Sequence, residues 1–318
     1  YSSSAGLLFD KNKTELIKYP AGKSLKNFNI PNGVKSLDGY SFCNCSNLTS
    51  INIPESVTYI GIGAFYLCTN LKSIAIPDSV TKIENITFTG CSSLTSISIP
   101  ESVTYIGLDA FKDCTSLTSI YIPDSVTLTG LSGTFSGCTS LTNVKLPDVI
   151  YIISTNTFAG CSSLLNIIIP DSVTSIKECA FEGCKSLTNI AIPESVTKIK
   201  TWAFKDCTSL KSIAINNPDC EISNAKDTIP ETAVIYGYKN STAQTYAESF
   251  NRKFISLEEI GDISGNGEID LYDAIEIAKA IMGLRTFTAE EMIIADFNKD
   301  GTVDLYDAIE IARTLLPK

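Results

Sequence analysis

Near the C-terminal end, oxygen-bearing side chains recur at matched intervals in two twelve-residue stretches. The first is D-I-S-G-N-G-E-I-D-L-Y-D, Asp262 to Asp273; the second is D-F-N-K-D-G-T-V-D-L-Y-D, Asp296 to Asp307, 34 residues later. Side-chain oxygens fall at positions 1, 3, 5, 9 and 12, with Gly267 and Gly301 at position 6 for a tight turn. A hard divalent cation wants six to eight oxygen ligands, and this spacing wraps them round one Ca2+ per stretch. The expected ligands in the first loop are Asp262, Ser264, Asn266, the Glu268 carbonyl, Asp270 through a water, and Asp273. In the second they are Asp296, Asn298, Asp300, the Thr302 carbonyl, Asp304 and Asp307. Ser264 is a poorer ligand than Asn298, so the first site should be the weaker of the two. A chance acidic turn is the alternative, and duplication at matched spacing argues against it.

Little else in the chain offers chemistry. Histidine is absent, which removes the commonest general base at neutral pH, the Ser-His and Cys-His pairs, and the usual catalytic zinc ligand. Carboxylate-only hydrolysis would need an acidic pair in a cleft. The acidic residues of the first two thirds recur instead one per repeat, at Glu55, Asp78, Glu101, Asp124, Asp148, Asp171 and Glu194. That is a structural habit of a turn, and the chain is expected not to be an enzyme.

The net charge of −10 is concentrated at one end. From Glu258 onward there are 14 acidic and 5 basic residues, against 21 and 20 before it. Acidity of that density attracts divalent cations and repels phosphate backbones, so nucleic acid is not an expected partner. No apolar run reaches the ~18 residues a membrane span requires. The chain opens at Tyr1 without Met or a charged-then-apolar leader, and reads as a mature or trimmed form.

A helical pattern follows each loop: L-Y-D-A-I-E-I-A-K-A-I-M-G and L-Y-D-A-I-E-I-A-R-T-L-L-P. Ala274, Ile277 and Ile281 form one apolar stripe of the first, and Leu271, Ile275, Ala278 and Met282 a second. The duplicate offers Ala308, Ile311 and Leu315, then Leu305, Ile309, Ala312 and Leu316. So small a domain can bury one stripe per helix. The other is then a partner surface, flanked by Tyr272 and Lys279 or by Tyr306 and Arg313. The alternative is that both stripes are core.

The larger part of the chain is periodic. Proline recurs at Pro31, Pro54, Pro77, Pro100, Pro123, Pro147, Pro170 and Pro193, in steps of 23 with one step of 24. Phenylalanine keeps the same beat from Phe42 to Phe204, and cysteine from Cys45 to Cys207. Eight copies at fixed spacing predict a solenoid. Within a copy, Leu-x-x-Ile-x-Ile reads as a short alternating strand ended by proline, which cannot donate to a ladder. Stacked strands bury the inward side chains as continuous columns in a parallel sheet. The ladder cysteines then fill a small buried apolar slot as reduced thiols, with an occasional disulfide between adjacent coils left open. Cys43, Cys179 and Cys220 lie off that ladder, and zinc is disfavoured by the absence of histidine and of any C-x-x-C pair.

The phrase L-T-S-I-x-I-P-x-S-V-T-x-I, over residues 31 to 215, resembles a leucine-rich repeat of the BspA-like kind. The copy at Val126 to Phe135 departs from it and is expected to bulge. Residues 1–30 read as a hairpin cap, and 216–257 as a second cap of strand, helix and strand. In the loops, position 12 is Asp rather than the Glu of a full EF-hand, and no helix is expected before either. The loop-helix duplication over 258–318 resembles a dockerin of type I-like kind. That resemblance implies a secreted, non-catalytic cellulosome component. It also implies a cohesin module of a scaffoldin as partner, and docking in either of two orientations related by about a half turn.

The strand face of the repeats is small and nearly uncharged: Thr95, Ser96, Ser98, then Thr118, Ser119, Tyr121, then Thr142, Asn143, Lys145, then Leu165, Asn166, Ile168. It reads as a protein- or glycan-recognition face, with a bland solvated sheet on a pure spacer as the alternative.

Overall fold

The computed structural model describes residues 1–127, 131–258, 260–298 and 302–316. The chain divides into two compact units, Tyr1–Ala233 and Val234–Lys318. The division falls inside the segment expected to cap the solenoid.

The first unit is a parallel β-solenoid of about ten turns. Proline-terminated strands lie beside their counterparts one coil away, as Ser50–Asn52 on Ser73–Ala75, Ser73–Ala75 on Ser96–Ser98, and Asn189–Ile192 on Ser212–Ile215. Ile51, Ile74 and Ile97 are therefore in register. A second set of two-residue strands pairs Leu37 with Ile60, Ile83 with Ile106, and Ile153, Ile176 and Ile199 in turn. The apolar columns are continuous because every coil places the same residue type at the same step, which is what a coil too small for its own core requires.

The phenylalanines form a single stack. From Phe42 to Phe204 successive ring centroids are 5.3–5.8 Å apart, with interplanar angles of 21° or less. The widest step, 5.8 Å, joins Phe111 to Phe135 across the longer coil. Residues 128–130, where the bulge is expected, lie outside the described residues.

The N-terminal cap is larger than a hairpin. Strands β1 (Ser2–Ser4), β2 (Leu7–Phe9) and β3 (Glu15–Lys18) pair antiparallel in order. β3 also pairs in parallel with Ser36–Leu37, and Asn27–Asn29 with Ser50–Asn52. Residues 15–30 are thus already a coil. Tyr19 heads the aromatic stack, 5.2 Å from Phe42, so the phenol takes the slot that phenylalanine fills elsewhere.

In the second unit, Val234–Gly237 and Phe254–Ser256 pair in parallel around helix α1 (Thr242–Ser249). Ser241 caps α1, its hydroxyl accepting from the Gln244 N–H at 3.2 Å. Three more helices follow: α2 (Leu271–Ile281), α3 (Ala289–Ala295) and α4 (Leu305–Thr314). Ile263, Ala274, Ile277, Ala295, Ala308 and Ile311 are the buried centre, with Ile269, Phe287, Ile294, Phe297 and Val303 packed round it.

Helix α3 corrects one expectation, since it ends directly before Asp296 and a helix does precede the second loop. Thr288 and Glu291 close it with a reciprocal cap, at 3.2 and 2.8 Å. That Thr-x-x-Glu signal stood in the sequence, just before an apolar run.

Candidate docking and metal-binding site

Both loops are built around a buried carboxylate. Asp273 is fully buried and accepts from the backbone N–H of Ser264 at 2.9 Å and of Asp270 at 2.8 Å. Asp307 repeats this with Asn298 at 3.0 Å and Asp304 at 2.9 Å. The position-9 residues Asp270 and Asp304 cap α2 and α4, accepting from Tyr272 and Tyr306 at 2.7 Å. Loop and helix therefore share their carboxylates, so a change in the loop is felt at the helix start.

The first loop curls round Asp262, which accepts from Asn266 N–H at 3.1 Å, Gly267 N–H at 2.8 Å and the Ser264 hydroxyl at 3.2 Å. Asn266 donates to Asp270 at 3.3 Å and accepts from Glu268 N–H at 2.8 Å. Gly267 has φ +89°, a conformation that a side chain would strain. In the second loop Asn298 and Thr302 are exposed and Asp296 is half-buried, whereas Asp300 lies outside the described residues.

These donors fit calcium. Asp273 and Asp307 are buried with backbone N–H partners and no basic side chain paired to them among the described residues. A buried carboxylate is costly without a cation, and each retains lone pairs for one. Among the described residues, no three carboxylate or thiol groups gather round one point. In the first loop the Asp262, Asp270 and Asp273 carboxylates would therefore have to be joined by amide, hydroxyl and carbonyl oxygens to complete a shell.

On the helices, Ala274, Ile277, Ala308 and Ile311 are buried, while Ile281 and Leu315 are 44% and 43% exposed. The inner stripe is thus one turn shorter than the spacing suggested, because the last turn of each helix runs past the small core. Along the other stripe, Leu271, Ile275, Met282, Leu305 and Leu316 are exposed, as are Tyr272 and Tyr306 beside it. Ala278, Ile309 and Ala312 are half-buried.

Lys279 pairs with Glu276 at 2.7 Å and lies 5.7 Å over the Tyr272 ring. The Glu276 contact holds its ammonium above the ordinary range. Arg313 pairs with Glu310 at 2.7 Å, the duplicate arrangement. The symmetry stops at Arg285, which grips both Glu276 and Glu291 and stacks on Phe287. Sequence reasoning missed this network, since Arg285 belongs to neither copied segment.

In the repeats, two polar ladders also escaped sequence reasoning. From Cys68 to Cys207 each column cysteine donates its thiol to a phenylalanine carbonyl of the preceding coil, as Cys68 to Phe42 at 3.0 Å and Cys207 to Phe181 at 3.0 Å, and Cys45 donates to the Tyr19 carbonyl at 3.7 Å. The serine of P-x-S-V donates to the valine carbonyl one coil back, as Ser102 to Val80 at 2.8 Å. The fixed 23-residue period held the signal for both. The eleven cysteines form no disulfide among the described residues. The acidic row from Glu55 to Glu194 is exposed throughout.

Stacked strands with one proline-ended coil per repeat define a leucine-rich-repeat solenoid, joined to a small helical module. The chain belongs to the BspA type leucine rich repeat family, whose pattern matches residues 19–132 and 129–226 in 6 copies. The dockerin type I domain pattern matches residues 260–316.

A leucine-rich repeat protein from Bacteroides ovatus is 28% identical, with a TM-score of 0.60, over 79% of this chain and 76% of that one. Another from Eubacterium ventriosum is 32% identical, with a TM-score of 0.50, over 57% of this chain and 49% of that one. No curated protein matches the chain. Both domains are of non-catalytic kinds. A type I dockerin implies a cohesin partner in a cellulosome-like assembly, and such domains generally bind calcium. Among the described residues, no helix is long and apolar enough to cross a membrane.

Proposed function

We propose that this chain is a secreted, non-catalytic cellulosome component that docks on a scaffoldin cohesin and presents its repeats as a recognition surface. The observation that carries it is the duplicated exposed face: Leu271 and Tyr272 on α2 with Met282 just past its end, and Leu305 and Tyr306 on α4 with Leu316 just past its end, all more than half exposed. Side chains of that size left open on both copies favour a partner over a core.

Two calcium ions complete the face. Asp262, Ser264, Asn266, Glu268, Asp270 and Asp273 hold the first; Asp296, Asn298, Asp300, Thr302, Asp304 and Asp307 hold the second. Bound calcium neutralises the buried carboxylates. The protein's own part is to fix the helix starts through Asp270 and Asp304, so that the apolar side chains stand in one orientation. Ala278, Lys279, Ile275, Ile309, Ala312 and Arg313 flank or floor the contact.

Because the two halves are near copies, either face can dock. Calorimetric titration of a cohesin with the Leu271→Ala/Tyr272→Ala variant and with Leu305→Ala/Tyr306→Ala should give nearly wild-type affinity for each. The four-fold variant should not bind. Loss with one pair alone would mean a single face is used.

A further inference from the structure

A shallow trough of about 410 Å3 runs over the strand face of four successive coils. Its exposed or half-exposed lining includes Asn27, Phe28, Asn29, Ser50, Asn52 and Ser98. The trough carries no charged side chain and no exposed aliphatic side chain larger than Ala75. Among the described residues the Asn29 and Asn52 amides make no hydrogen bond to another side chain, whereas the Asn27 amide oxygen accepts from Ser50 at 2.7 Å. Tyr121 follows in the same column, its coil attached by the Thr118 N–H to Thr95 carbonyl bond. Its ring is 48% exposed, and its hydroxyl reaches Glu101 at 3.4 Å.

We infer that this trough, together with the Tyr121 ring on the next coil, binds a neutral polysaccharide chain laid along the solenoid. The inference rests on the repeats being a recognition surface. Amides and hydroxyls offer donors and acceptors together, which is what vicinal sugar hydroxyls require. A ring at one end offers an apolar face to the C–H side of a sugar. Rungs about 4.8 Å apart repeat at close to the rise per unit of an extended β-linked glucan. From Asn29 to Tyr121 is four coils, roughly 19 Å at that spacing.

A protein ligand is the poorer match. Protein interfaces are depleted in Ser and Ala and anchored by buried aromatic or Arg side chains, and the trough offers one half-buried ring, Phe28, among amides and small hydroxyls. An acidic glycan would want free cations. The trough lining holds none, and Lys145, paired with Tyr121 in the neighbouring coils, is held by Asp148 at 2.6 Å and Asp124 at 3.5 Å.

The test is affinity electrophoresis and calorimetry of the full chain with a soluble neutral β-glucan and with a polyuronate. Cohesin titration of the same sample serves as the control for docking. Retention by the neutral glucan is expected, about tenfold weaker in Tyr121→Ala and in Asn29→Ala/Asn52→Ala. Tyr59→Ala, on the second ladder, should bind as wild type. Preference for the polyuronate, or glucan binding unchanged by the trough variants, overturns the inference. No glycan binding, but a protein that protects the trough strands from hydrogen exchange, overturns it and keeps the repeats as a recognition surface. Silence in both assays overturns both, with docking still judged by the cohesin titration.

Discussion

The carboxylate of Asp273 accepts a hydrogen bond from the backbone N–H of Ser264 at 2.9 Å, nine residues earlier, while fully buried. Asp307 holds Asn298 in the same way at 3.0 Å. One carboxylate thus ties the start of each loop to the first turn of the helix behind it. It does so in a place where negative charge is unfavourable unless a cation answers it.

Calcium removal should therefore loosen the C-terminal unit and leave the repeats intact. A saturating ion at about 100 times its Kd contributes about 2.7 kcal/mol per site. Circular dichroism melting with excess chelator should lower a transition that Asp273→Asn and Asp307→Asn also lower. Each single variant should bind one calcium fewer by calorimetry.

Thiol reactivity follows burial. Cys43 and Cys179 are half-exposed and the other nine cysteines are buried. A thiol reagent at neutral pH should label no more than two of the eleven quickly, and all of them after denaturation. Cys179 should be the slower of the pair, since burial and Glu182 push its thiol up to about 11.

Alkali should destabilise the solenoid through the same column. Burial pushes Cys91 and Cys138 up to about 12 from an ordinary 9.0. The unfolded chain therefore releases these protons first. Their contribution is complete below about pH 9 and is lost as pH rises towards about 12. Urea midpoints of wild type and Cys91→Ala/Cys138→Ala should differ less at pH 10.5 than at pH 8.

Within the aromatic stack, Phe111→Ala should cost about 3–5 kcal/mol, measured by chemical denaturation, because it opens a cavity between two rings. Tyr19→Phe should cost nothing or stabilise. Its hydroxyl is buried with no partner among the described residues, and an unpaired buried polar group is a penalty.

Much of the fold was legible because repetition makes each weak local signal count eight times. The Pro, Phe and Cys columns located every coil from 31 to 215. What periodicity could not give was the first coil, where Tyr19 replaces phenylalanine and Pro20 breaks the phrase. Helix α3 was overlooked for a related reason, as it is short and belongs to neither duplicated loop. The inner stripe of the docking helices ran too long in the sequence, since helical spacing says which residues share a face but not where a small core ends. Asn29 and Asn52 carried no sequence signal of a trough, because a neutral amide on a strand face looks the same whether or not its neighbours are recessed.

Calcium-dependent docking is tested most directly by isothermal titration of the intact chain into a panel of cohesins, in calcium and then in excess chelator. Tight one-to-one binding in calcium that vanishes with the chelator is the expected result. Absence of binding to every cohesin with calcium present would contradict the account. The open faces of α2 and α4 would then serve another contact, and the protein would be a repeat protein with an acidic C-terminal unit.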